Sequence, residues 1–165
     1  MFEEKCNENE VYPNTLQYDV STETLAELFN MQMFQYQMTG NVDFDVVMLG
    51  TAFDFIEFSK EALEIDLEFE EKSICDFEEV LDNLHQKVQE DGMEQEMFDQ
   101  FARSATAYLG IIILKYIGGN WVDTNQGIAI RKEGKDAFVY RQVAKRIVDG
   151  KQYDVAKYYQ KLKES

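Results

Sequence analysis

Apolar positions recur at helical spacing through the first two thirds of the chain, and the spacing turns strand-like after residue 118. Thr24-Leu-Ala-Glu27 has the reciprocal spacing of a helix-capping box and predicts a helix over 24–38. Leu25, Leu28, Phe29, Met33 and Tyr36 lie along it, and Gly40 supplies a left-handed stop. Phe29, Met31 and Met33, then Phe34, Tyr36 and Met38, also alternate as a strand would; the cap and the Met/Gln content favour the helix. A second helix over 45–63 places Val46, Leu49, Phe53, Ile56 and Leu63 on one side and Asp54, Glu57, Glu61 and Glu64 around the other. From Leu63 to Glu70 apolar and acidic residues alternate strictly, which predicts an extended segment with one buried face. Ile74, Phe77, Leu81, Leu84 and Val88 define a third helix over 73–90, stopped at Asp91-Gly92. A fourth, over 93–117, is apolar around most of its circumference, with Phe101, Tyr108 and Ile112 expected in the core.

Gly118-Gly119 lets the backbone reverse, and short strands are expected at Trp121-Val122, Ile128–Ile130 and Ala137–Tyr140. Turn-like segments at 123–127 and 132–136 separate them. Two small helices follow, one carrying Val143 and Ile147 and ending at Gly150, the other carrying Val155, Tyr158, Tyr159 and Leu162. Helices first and a local antiparallel meander later predict an α+β domain over 21–165, its N-terminal helices packed on a small C-terminal sheet. Residues 1–20 are polar without a sustained period, and read as a tail or loosely docked segment.

At 165 residues the chain is one domain's worth, 45% hydrophobic with a single proline, and needs no staples. Its two cysteines, Cys6 and Cys75, indicate no disulfide framework. MFEEKCNENE lacks a signal peptide's basic and apolar regions, and Ala107–Leu114 is far short of a membrane span; both point to a cytoplasmic protein. Charge changes the picture most. The formal net charge is −16, and residues 1–100 hold 26 of the 32 Asp/Glu against 4 lysines, whereas residues 101–165 hold 12 Lys/Arg against 6 acids. Such a field repels nucleic acid and anionic lipid and attracts a basic protein as partner. Alternatively, the acids solvate helix faces and the basic end pairs with them inside the fold.

Recognisable catalytic chemistry is sparse. Cys75 and His85, the single histidine, lie ten residues apart on one predicted helix, about 15 Å along its axis and too far for a dyad. Cys6 with His85 has no other support. Asp123-Thr-Asn125-Gln-Gly127 begins like a calcium loop, but Ile128 and Gly134 stand where its glycine and glutamate belong, so a hairpin turn is expected instead. Glu57/Glu61 could hold a divalent ion, although acids on an amphipathic helix are ordinarily its wet face. Gly118-Gly119 is no phosphate cradle. Arg141, Lys145, Arg146 and Lys151 form a small basic cluster, and Trp121 is expected in the core rather than as a stacking platform. No catalytic, cofactor-binding or metal residue is assigned, and no cofactor is expected.

Tyr108-Leu-Gly110, Gly118-Gly-Asn-Trp-Val122, Val143-Ala-Lys-Arg-Ile147, Gly150 and Tyr158-Tyr159, entered through Leu67–Ile74, form an arrangement over residues 63–160 that resembles uncharacterised small bacterial domains of the "domain of unknown function" kind. The resemblance implies a shared α+β fold and no activity. Those domains often carry an acid after Tyr-Leu-Gly, where this chain has Ile111, so no role for that acid transfers. Two functions remain: a protein-binding module of the inhibitor or immunity type, and a carboxylate-based enzyme without a recognisable motif.

Overall fold

Ser21, rather than the expected Thr24, caps the first helix: its hydroxyl accepts from the Thr24 N–H at 3.1 Å, and α1 runs over Thr22–Thr39 to a left-handed Gly40. In this computed structural model, which describes residues 2–4 and 8–165, three further long helices follow: α2 (Phe44–Leu63), α3 (Ile74–Asp91) and α4 (Gln95–Tyr116). All four fall where the apolar periodicity places them. The alternating stretch after α2 is extended, as expected, but pairs with no strand. Leu67 and Phe69 are buried, and its carbonyls are held by side chains: Ser59 Oγ donates to Ile65 O at 2.7 Å, Tyr108 Oη to Glu68 O at 2.6 Å and Lys115 Nζ to Phe69 O at 3.0 Å.

The C-terminal meander is β3 (Asn120–Thr124), β4 (Gly127–Lys132) and β5 (Lys135–Ala137), antiparallel with Trp121 opposite Ile130 and Ile130 opposite Ala137. The third strand lies earlier than the expected Ala137–Tyr140 and shares only Ala137 with it, Lys135 and Asp136 being strand rather than turn. Phe138 turns out of the sheet and helix α5 (Val139–Asp149) begins at once, because Val139, Val143 and Ile147, four apart, make one fully buried stripe. Helix α6 (Val155–Glu164) completes the chain, its first turn capped by Asp154.

Among the described residues of 1–20, expected as a tail or loosely docked segment, two short stretches join the sheet. Glu3–Glu4 (β1) pairs with β5 and Glu8–Val11 (β2) with β3, extending the sheet to five strands in the order β1-β5-β4-β3-β2. These edge strands are too short and polar to show a period; backbone pairing alone recruits them. Beyond β2 the chain is fastened to α2. The buried Asp45 carboxylate accepts from Thr15 N (2.8 Å), Thr15 Oγ1 (2.5 Å), Leu16 N (3.2 Å) and Tyr18 Oη (2.9 Å), so a charge out of water is fully satisfied.

The core is centred on α4. Tyr108 and Ile112 are fully buried and Trp121 nearly so, while Phe101 is only half-buried against Phe58. Trp121 lies on the bare backbone of Gly110: a Cβ there would meet the indole at 2.2 and 2.6 Å. Val122, Ala129 and Phe138 form a second small cluster.

Candidate functional site

An 18-residue helix with apolar residues on several sides belongs in a core, yet Leu25 is the only fully buried residue of α1. Its N-terminal half packs normally. Beyond Phe29 there is less to cover it, and Met31, Phe34 and Met38, one helical stripe, are 60%, 64% and 75% exposed. Tyr36, Val42 and Val47 are exposed as well, and line a separate surface between α1 and α2. From Leu28 to Val42 the chain carries no charged residue, although 29% of the whole sequence is charged. That gap was the signal legible in the sequence, masked by an otherwise ordinary helical period.

Between α1 and α2, on the side of α1 that carries Phe29, Met33 and Tyr36 rather than Met31, Phe34 and Met38, lies a groove of about 650 Å³, lined also by Val47 and Phe53. Gly50 allows the helices to close at its floor, where a Cβ would stand 2.8 Å from the Phe29 ring. Asp54 and Glu57 line one side, and among the described residues no Lys or Arg lines it. Burial, then the neighbouring Glu57, pushes the Asp54 carboxyl above the ordinary carboxylate range. The acids on this groove repel each other, so a cation from outside would relieve both. Among the described residues no histidine or cysteine lines it.

The other candidates are dispersed. Cys75 is exposed on α3, and His85 is half-buried with Nδ1 2.8 Å from Ile147 O, its ring against Gly150. Cys6 lies outside the described residues. Asp123 and Asn125 belong to the β3–β4 hairpin, closed by Thr124 Oγ1 donating to Gly127 O at 2.8 Å. Glu61 is exposed on α2, and no group of three or more His, Cys, Asp or Glu among the described residues is placed to hold a metal ion.

The basic cluster divides. Arg141, Lys145 and Lys151 line a common concavity, whereas Arg146 is fully buried and reaches Glu78 Oε2 at 3.2 Å and Asp82 Oδ1 at 2.5 Å. Glu78 Oε1 in turn accepts from Val155 N at 2.7 Å, so one triad ties α3, α5 and α6 together. With Lys115–Glu70 and Lys163–Glu71, this spends part of the charge split inside the fold.

No helix among the described residues is long and apolar enough to cross a membrane. No protein-family model matches the chain, and no curated protein or solved structure matches it significantly.

Proposed function

We propose that the chain is a protein-binding module that docks a basic, amphipathic segment of another protein on the exposed apolar stripe of α1. The observation that carries this reading is the solvent-facing stripe Met31, Phe34, Met38 on a helix with one buried residue. Water-exposed apolar surface of this continuity marks interaction sites. Methionine side chains adapt to irregular partners, and an apolar helix face on a chain of net charge −16 suits an amphipathic helix whose polar face carries Lys or Arg. Glu27, exposed and four residues before Met31 on the same face of α1, is an acid such cations would meet. A second copy is the poorer occupant, since each copy brings a net charge of −16. The concrete form is an inhibitor or immunity-type protein that occludes a basic partner. The carboxylate-enzyme alternative has less support: the one raised carboxyl in the groove, Asp54, has no histidine or cysteine beside it.

The test is photo-crosslinking from position 34 in the cells of origin, followed by binding measurements with the purified captured protein. The expected partner is basic, and its affinity falls roughly tenfold or more in Met31→Gln/Phe34→Ser/Met38→Gln and falls again with salt. Equal affinity for the variant, or sedimentation showing that the chain dimerises through this stripe, would overturn the proposal.

A further inference from the structure

Five of the C-terminal cations gather in one place. Arg141 and Lys145 stand four residues apart on α5, and Lys157 and Lys161 four apart on α6, so each pair shares a helix face. Both pairs line one concavity of about 510 Å³, joined by Lys151 and by Phe138, Tyr153 and Tyr158. Among the described residues two acids line it, and both are engaged: Glu3 Oε2 accepts from Arg141 Nη1 at 3.0 Å, and Asp154 Oδ1 from the Lys157 backbone N–H at 2.8 Å. Aromatic rings support two of the cations. The Arg141 guanidinium lies 4.5 Å from the Phe138 ring centroid and Lys145 Nζ 5.5 Å from that of Tyr153.

This arrangement is costly in a chain with twice as many acids as bases. Like charges four apart on a helix repel, and carboxylates were available to neutralise them, as they do for Lys60, Lys72 and Lys87 elsewhere. Lys145, Lys157 and Lys161 have no carboxylate within ion-pair distance among the described residues. We propose that the α5–α6 concavity binds a small phosphate-bearing anion. Its size is that of a small-molecule site. Lysines projecting from two helices offer point charges with rotatable donors, which suit phosphate oxygens, and Arg141 adds a planar fork. A long polyanion such as nucleic acid is disfavoured because its flanks would meet the acidic remainder of the surface.

The test uses the full chain with sodium tripolyphosphate as probe, sodium chloride matched in ionic strength, and ATP and citrate as further arms. Tripolyphosphate is expected to raise the melting temperature saturably and to protect Lys145, Lys157 and Lys161 from acetylation. Lys157→Gln/Lys161→Gln should weaken binding roughly tenfold or more, while Lys60→Gln/Lys87→Gln leaves it unchanged. Tighter binding of ATP than of tripolyphosphate would identify a nucleotide with its base on the aromatic side chains; equal binding would identify the phosphate chain alone, and either supports the proposal. A shift no larger than that of matched chloride, equal affinity for citrate, or undiminished binding by Lys157→Gln/Lys161→Gln would each overturn it. Should that variant fail to fold, absence of acetylation protection in the unsubstituted chain decides against it.

Discussion

Replacing Gly110 by alanine tests the packing at the centre of the fold, because two opposing effects can be weighed there. In the interior of a helix the change alone should stabilise by about 1 kcal/mol. Here the added Cβ would stand 2.2, 2.6 and 3.3 Å from three atoms of the Trp121 indole, against an ordinary contact of roughly 3.5–4 Å. The ring must therefore retreat by more than an ångström. It is 1% exposed, is met edge-on by Phe44 and sits on a strand paired on both sides, so nothing near it yields cheaply. Overpacking of this kind costs about 1–3 kcal/mol and occasionally more; at such a short contact about 3–4 is expected, leaving a net loss of about 2–3 kcal/mol. For a chain of this length that lowers the melting temperature by roughly 4–12 °C. Urea melts of Gly110→Ala, Trp121→Phe and the double variant give the coupling directly. Trp121→Phe sacrifices no hydrogen bond, since the buried Nε1 has no partner. In the Phe background the alanine should cost at least about 1 kcal/mol less. An unchanged or raised stability for Gly110→Ala, or additivity in the cycle, would refute the seating of Trp121 on α4.

Arg146→Met leaves Glu78 and Asp82 facing each other without their shared cation; about 3 kcal/mol of stability should be lost in urea melts, the lower end of the usual range because Asp82 stays 31% exposed, and Glu78→Gln/Asp82→Asn in the same background should restore part of it. Glu70, hydrogen-bonded by Tyr116, and Glu71, by Lys163 and then Tyr159, are held below the ordinary carboxylate range. Both therefore contribute stability above about pH 4.5 that is lost as pH falls through their lowered pKa values, and Tyr116→Phe should flatten that acid limb of the urea midpoint. Burial, then Glu70, pushes the Tyr116 phenol up to about 12, so its share is present below pH 10 and lost as pH rises through about 12. The acid surplus remaining after the internal ion pairs predicts a melting temperature that rises with sodium chloride between about 0.01 and 1 M; a flat or falling curve would mean that pairing within the fold outweighs repulsion.

The existence and placing of α1 to α4 were legible in the sequence because helical period and stops are local: Leu25 to Gly40, Ile74 to Gly92 and the apolar run before Gly118-Gly119 each carry their own signal. So was the β3–β4 turn, with polar residues between two apolar pairs. Other features depended on neighbours far along the chain. Glu3–Glu4 and Glu8–Val11 become strands only because β5 and β3 offer them an edge. Val139 and Tyr140, good strand residues by type, enter a helix because Val143 and Ile147 share a buried stripe with Val139. The same stripe draws Arg146 inward while Arg141 and Lys145 stay in the groove, a division that side-chain charge alone does not express. The α1 stripe is the sharpest case. Met31, Phe34 and Met38 repeat with the spacing of a core helix, and periodicity reports only which residues share a face. Whether another element lies against that face is settled by the packing of the whole chain, and here none among the described residues covers it.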